Sequence, residues 1–172
     1  GGRFDAGMLY YTPQIWCSDN TDAIDRTKIQ YGTSFGYPVS AVGAHVSAVP
    51  NHQTGRSVSI DTRGVVAMSG SFGYELDLGK VSEAEKNTIK EQIKTFKKEA
   101  ELIHNGLYYR LSDPYKDPVA AWEFVSKDGD DVLVNVVCLK MHGNMQPLYV
   151  RFKGLNENVT YKDVKTGKIY PA

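Results

Sequence analysis

The sequence predicts an α/β unit followed by an all-β unit. Short apolar runs alternate with helical patterns up to about residue 106, and a strand-like alternating period takes over beyond it. A chain of 172 residues can bury a real core, as one large domain or two small ones. The change of period divides it into residues 1–106 and residues 107–172.

In the first unit, residues 8–11 and 14–17 read as strands separated by Thr12 and Pro13. Ser18, Asp19, Asn20 and Thr21 then offer several N-cap side chains. A helix over 22–35 follows, with Ile24, Tyr31 and Phe35 at helical spacing, until Gly36 and Pro38 stop it. Small apolar residues over 39–49 predict a buried strand, which Pro50, Asn51 and His52 break into a loop. A short helix over 60–68 and a strand over 72–78 come next. The clearest helix spans 83–103: Ser82 and Glu85 stand at capping-box spacing, Ile89, Ile93, Phe96, Ala100 and Ile103 repeat along one face, and Gly106 ends it. Its other face holds Lys86, Lys90, Glu91, Lys94, Lys97 and Lys98, the solvated side of an outer helix.

In the second unit, strands are predicted over 122–125, 132–139, 148–152 and 159–164. Turns fall at Lys127-Asp128-Gly129, Asn156-Glu157-Asn158 and Lys165-Thr166-Gly167. Leu148, Val150 and Phe152 should face inward and Tyr149, Arg151 and Lys153 outward, as in a half-buried antiparallel sheet.

Twenty basic residues balance twenty acidic ones, so no net field gathers nucleic acid, anionic lipid or acidic substrates, and a neutral or mixed ligand fits better. The apolar runs, such as 132–134 and 136–139, are far too short for a bilayer span. Cys17 and Cys138 lie far apart without ligand-like neighbours, which suggests neither a disulfide framework nor a zinc site and favours a reducing, cytoplasmic setting. The first methionine is Met8, and the opening residues read at once as buried structure, so a piece of a longer protein is expected.

The chemistry concentrates in Trp16-Cys17-Ser18-Asp19-Asn20-Thr21-Asp22, where a strand gives way to a helix. In β/α barrels that edge is the active face. Trp16 offers a flat apolar surface for a sugar ring, and Asp19 could donate or accept a proton. The bland alternatives are a helix cap for Asp19, first-turn dipole complements for Asp22 and Asp25, and a core or lining position for Trp16. His45 and His52 match no zincin spacing and take loop and packing roles, so no metal and no cofactor are expected. Gly1-Gly2-Arg3 lacks the rest of a phosphate loop, and Ser71 in Gly70-Ser71-Phe72-Gly73 is not centred as in a nucleophile elbow.

Several long words in the sequence resemble glycoside hydrolase family 36 and its bacterial α-galactosidases. They are Gly-Gly-Arg-Phe-Asp-Ala-Gly-Met-Leu-Tyr-Tyr from Gly1, Pro-Gln-Ile-Trp-Cys-Ser-Asp-Asn-Thr-Asp-Ala-Ile-Asp-Arg from Pro13, and Lys-Ile-Gln-Tyr-Gly-Thr-Ser from Lys28. Gly-Ala-His-Val-Ser-Ala-Val-Pro-Asn-His-Gln from Gly43 and Gly-Tyr-Glu-Leu-Asp-Leu from Gly73 continue the likeness, which covers about the first half of the chain.

The resemblance implies a partial (β/α)8 TIM barrel over residues 1–106, holding only the later strands and helices because a whole barrel takes about 250 residues. A C-terminal antiparallel β-sandwich over 107–172 would follow. It implies a retaining α-galactosidase acting on α-galactoside oligosaccharides such as melibiose and raffinose, with Asp19, the first aspartate of Ser-Asp-Asn-Thr-Asp, as general acid/base. The family's nucleophilic aspartate stands in a motif that nothing in this chain matches. Gly2 would lie beside the galactose pocket, and the full-length enzyme would be a homo-oligomer, often a tetramer in this family. Ala6 replaces a usual proline and Thr27 a usual leucine, at positions that should not touch the chemistry. Two other readings stay open: a non-catalytic carbohydrate-binding or assembly module using Tyr108, Tyr109 and Tyr149, and, within the family, a galactosyltransferase or α-N-acetylgalactosaminidase.

Overall fold

The structure, a computed structural model, describes residues 5–144 and 146–172. The element order is a 3-10 turn at Ala6–Tyr10, helix α1 (Ala23–Thr33), strand β1 (Gly43–Ser47), helix α2 (Ile60–Ala67), strand β2 (Ser71–Glu75) and helix α3 (Glu83–Asn105). Strands β3 (Leu107–Arg110), β4 (Val119–Val125), β5 (Val132–Cys138), β6 (Thr160–Lys162) and β7 (Ile169–Pro171) follow.

Strands β1 and β2 pair in parallel with α2 as the crossover, which is the β-α-β unit the alternating pattern foretold. Ala44 and Val46 of β1 pack with Ile60, Ala67 and Ile89, while Phe72 and Tyr74 of β2 join the same cluster. Because side chains alternate across a strand, Gly43, His45 and Ser47, with Ser71, Gly73 and Glu75, belong to the opposite face. The helices therefore cover one side of the pair and leave the other to the site described below.

Helix α3 starts where its capping box places it: the Ser82 side chain accepts the Glu85 N–H and the Glu85 side chain returns to the Ser82 N–H. Its inner face buries Ile89, Gln92 and Ile103. The Gln92 amide donates to the Ile60 carbonyl (2.9 Å) and accepts from the Tyr74 hydroxyl (2.7 Å). Gly64 lets the two helices meet there, since a Cβ at that position would sit 2.2 Å from Gln92 Nε2.

Beyond Gly106, β3, β4 and β5 form an antiparallel sheet in that order, and β6 pairs with β7 separately. One face of this sheet presents Ala120, Trp122, Phe124 and Val137 to Ala23, Val66 and Ile103 of the three helices, so the α/β and β-rich parts share a core. Burying a side chain such as Phe124 contributes about 2–3 kcal/mol. Arg110 ties the sheet to the end of α1: Nε donates to Ser34 Oγ (2.7 Å), Nη2 to the Ser34 carbonyl (2.6 Å), and the guanidinium lies 3.8 Å from the Phe35 ring centroid.

Several expected strands are absent or shorter. Residues 8–11 contribute to a 3-10 turn instead, because the Asp5 carboxylate accepts the Gly7 N–H and the Met8 carbonyl takes the N–H groups of Tyr11 and Thr12. Local turn chemistry outweighs a short apolar run that pairs with no strand among the described residues. Residues 14–17 reduce to a single parallel bridge, Ile15 to Val42. The run over 39–49 begins as a 3-10 turn at Val39–Ala41 before β1, and β2 ends at Glu75. Residues 148–152 form no strand, and Leu148 and Phe152 remain 43% and 52% exposed. Their chain continues across the face of β4: the Lys153 N–H donates to the Glu123 carboxylate (2.6 Å), and a Cβ at Gly154 would strike the Tyr109 ring.

Glu123 lies in the middle of the central strand, opposite Tyr109 and Val134, and is fully buried. Its second carboxyl oxygen has no hydrogen-bond partner among the described residues. Burial pushes its pKa up, opposed by the Lys153 N–H and the Lys153 charge. The folded chain thus holds this proton more tightly than the unfolded one. Stability is fully present below the ordinary value of 4.5 and falls as pH rises through the folded-state value. Glu123→Gln should remove that fall and raise the urea midpoint at neutral pH but not at pH about 4. An unchanged slope of midpoint against pH would refute the assignment.

Candidate active site

The site is built on the loop 18–22, between the Ile15 bridge and α1. Its backbone is held by its own short side chains: Ser18 Oγ accepts the Asn20 N–H (3.1 Å) and Asn20 Oδ1 accepts the Asp22 N–H (2.9 Å). The Asn20 amide also donates to Asp25 Oδ2 (2.8 Å). Arg26, one turn into α1 and buried, reaches back with Nη1 to the Ser18 carbonyl (3.2 Å) and with Nη2 to the Gly43 carbonyl. The loop, the helix and β1 are thereby held by one guanidinium.

The N-cap of α1 is Asp22, whose Oδ1 accepts the Ile24 N–H (2.8 Å) and the Asp25 N–H (3.3 Å). Its buried side chain also receives the Thr54 hydroxyl and Arg56 Nη1 (2.6 Å). Burial by itself would raise this carboxyl. Hydrogen bonds from Thr54, Arg56 and the Asp25 and Ile24 N–H groups outweigh it and hold the pKa below 3.8. Asn51, also buried, locks the facing loop: its Oδ1 accepts the N–H groups of Gln53 and Thr54, and its Nδ2 donates to Thr21 Oγ1 (3.1 Å). Sequence reasoning placed Asp22 in the first turn and missed Asn51, Thr54 and Arg56, whose partners lie about 30 residues away.

With the cap supplied by Asp22, Asp19 sits exposed at the mouth of the loop. Its Oδ1 accepts a hydrogen bond from Trp16 Nε1 (2.9 Å), so the structure brings these two predicted residues together. Trp16 is 37% exposed, and one face of its ring rests on His45, with centroids 4.6 Å apart and planes tilted by 39°. Gly43 and Gly73 make room for this stack. A Cβ at Gly43 would lie 3.2 Å from Trp16 Cε3, and one at Gly73 would lie 2.8 Å from His45 Cδ2. Burial draws the His45 pKa down, opposed by Glu75 and reinforced by Arg26, so the ring is neutral at physiological pH. Gly2 lies outside the described residues. His52 is in the exposed loop, and among the described residues no group of His, Cys, Asp and Glu side chains could hold a metal ion. Cys17 and Cys138 are free thiols, and no described helix is long and apolar enough to cross a membrane.

A carboxyl that accepts an indole N–H and is exposed at a loop mouth can exchange a proton with a bound molecule. Asp22, ionised and enclosed, supplies rigidity instead. Asp22→Asn should lower stability by about 2 kcal/mol at neutral pH. Because its folded pKa is depressed, the stability it contributes is present above 3.8 and lost as pH falls through the folded value. The gap between the two proteins in unfolding midpoint should therefore narrow below pH about 3.8, and a gap independent of pH would contradict the ionised cap.

The Melibiase family profile matches residues 1–106, and the profile of the glycosyl hydrolase family 36 C-terminal domain matches residues 119–172. The chain is 62% identical over 170 residues to the bifunctional alpha-galactosidase/sucrose kinase AgaSK of Mediterraneibacter gnavus, covering 99% of this chain and 18% of that protein. It is 55% identical over 162 residues to the alpha-galactosidase AgaA of Geobacillus stearothermophilus, covering 94% of this chain and 22% of that protein. The chain thus spans about a fifth of the length of these curated relatives. The solved galactosidase domain of AgaSK superposes with a TM-score of 0.97 at 61% identity, covering 99% of this chain and 24% of that one. A variant of AgaA solved in complex with raffinose gives 0.95 at 52%, with coverage of 99% and 24%.

Proposed function

The chain belongs to glycoside hydrolase family 36, and we propose that it is part of a longer retaining α-galactosidase in which Asp19 is the general acid/base. In this reading residues 1–106 are the later part of a (β/α)8 barrel and residues 107–172 a β-sandwich. The parallel β1–β2 pair with its crossover helix supports the first, and the antiparallel sheet β3–β4–β5 supports the second. The observation that carries the proposal is the placement of Asp19. It follows the Ile15 bridge at the edge where barrels carry their active sites, held by Trp16 while Asp22 does the capping.

Retention needs two carboxyl groups about 5 Å apart. Asp19 is one; the other, the family's nucleophilic aspartate, is outside this chain. The nucleophile attacks the anomeric carbon as the glycosidic C–O bond breaks, and Asp19 gives its proton to the departing oxygen. A galactosyl-enzyme ester results. Asp19, now a carboxylate, takes a proton from water as that water attacks the same carbon and the ester bond breaks. Asp19 ends protonated, ready for the next cycle. The substrates are α-galactosides such as melibiose and raffinose, a reading supported by relatives named alpha-galactosidases and by the raffinose complex of AgaA. Gly2 borders the galactose pocket, and the ring face of Trp16 turned away from His45 is available to the sugar. The two free thiols suit a reducing compartment, and the resemblance to the family implies that the full-length enzyme is a homo-oligomer. A purely carbohydrate-binding role for the β-rich part is disfavoured at Tyr108, whose ring packs against Phe124 with centroids 5.4 Å apart.

In the full-length enzyme, Asp19→Ala should lower kcat/KM for melibiose by about 100- to 10,000-fold. Galactosylation by an aryl galactoside with a good leaving group should be largely spared, and azide should accelerate the second step with formation of α-galactosyl azide. Equal losses on both substrates with no azide effect would assign the acid/base elsewhere. The isolated 172-residue chain, lacking the nucleophile, should release no phenol from an aryl galactoside, and measurable turnover would contradict the two-carboxylate division.

A further inference from the structure

His45 and Trp16 form a stack beneath Asp19 that packing alone does not require. The imidazole belongs to the face of β1 that the helices leave uncovered, opposite Gly73, and no side chain on β2 competes for its place. Gly43, two residues earlier on the same face of β1, leaves the room that the indole occupies. The indole cannot slide toward β1, because the imidazole supports its face at 4.6 Å. Its N–H is thereby aimed at Asp19 Oδ1. A tryptophan indole has a single donor and no acceptor, so this contact can only donate to the carboxyl and engages one of its oxygens at a time.

We infer that Trp16 and His45 are positioning residues for Asp19: His45 backs the indole, and the indole N–H occupies Oδ1 so that Oδ2 faces the glycosidic oxygen and exchanges the proton. The inference rests on the acid/base reading of Asp19 above and adds to it two residues that act through that carboxylate. The charged groups facing His45 are Glu75 from β2 and Arg26 from α1. The imidazole between them serves as a neutral aromatic support, a role that a phenyl ring can also fill.

The test uses the full-length enzyme with melibiose, whose leaving group needs a proton, and an aryl galactoside, whose leaving group does not. Trp16→Phe keeps the ring and loses the N–H. It should lower kcat/KM for melibiose about tenfold more than that for the aryl galactoside, because only the first leaving group needs the proton that Asp19 delivers. His45→Ala should reproduce this pattern and His45→Phe should restore activity on melibiose. The His45 pair keeps the inference testable if Trp16→Phe proves unstable.

Losses of the same size on both substrates, carried by a raised KM, would make Trp16 a sugar contact alone and overturn the inference. Failure of His45→Phe to rescue what His45→Ala loses would overturn the support role. The Asp19→Ala measurement separates the two levels. If Asp19→Ala discriminates between leaving groups and Trp16→Phe does not, only the positioning role falls; if Asp19→Ala does not discriminate, both fall.

Discussion

The buried carboxylate of Asp22 is the constraint on which the mouth of this molecule depends. It is at once the N-cap of α1, the acceptor for Thr54 and the partner of Arg56, so two segments more than 30 residues apart meet on one side chain. A charge enclosed in this way is tolerable only when it is well hydrogen-bonded, and here two backbone N–H groups and a guanidinium meet Oδ1 while a hydroxyl meets Oδ2. The consequence reaches beyond stability. A helix start rich in acidic and hydroxyl side chains needs one cap, and because Asp22 takes that role, Asp19 is released to the surface three residues earlier.

The released carboxylate is not loose. Asn20 and Ser18 shape the turn that carries it, Arg26 fastens that turn to the backbone of β1, and Trp16 holds one of its oxygens. The parity of β1 and β2 sets the rest. Alternate residues of each strand, Ala44 and Val46 with Phe72 and Tyr74, seat the pair on its helices, while the intervening glycines leave space for the His45 and Trp16 rings. Packing on one face of a two-stranded unit and placement of a reactive group on the other are therefore two outcomes of one register.

How much of this could be read from the chain alone varied with the range of the forces involved. Helix α3 was legible almost to its ends, because its capping box, its apolar stripe and Gly106 are all local. The parallel unit was legible as a pattern of apolar runs. The strands expected at 8–11 and 148–152 were not formed, since alternation marks a side chain's preference for a face and says nothing of whether an edge waits to pair with it. At the site, Asp19 and Trp16 were picked out by position and by family resemblance. That Asp22 rather than a residue of 18–21 would be the cap depended on Thr54 and Arg56, more than 30 residues downstream, which no local rule brings to it. His45 was set aside as packing, and packing against Trp16 is what the structure shows, with the consequence for Asp19 visible only in three dimensions.

The central claim is that one oxygen of Asp19 is kept by the indole and the other is presented to the bond that breaks. A crystal structure of the full-length enzyme holding an intact α-galactoside measures this directly. The account predicts Asp19 Oδ2 within about 3 Å of the glycosidic oxygen, with Trp16 Nε1 still on Oδ1. A sugar bound with its glycosidic oxygen beyond hydrogen-bond reach of Asp19, or with the indole N–H turned onto the ligand, would contradict it.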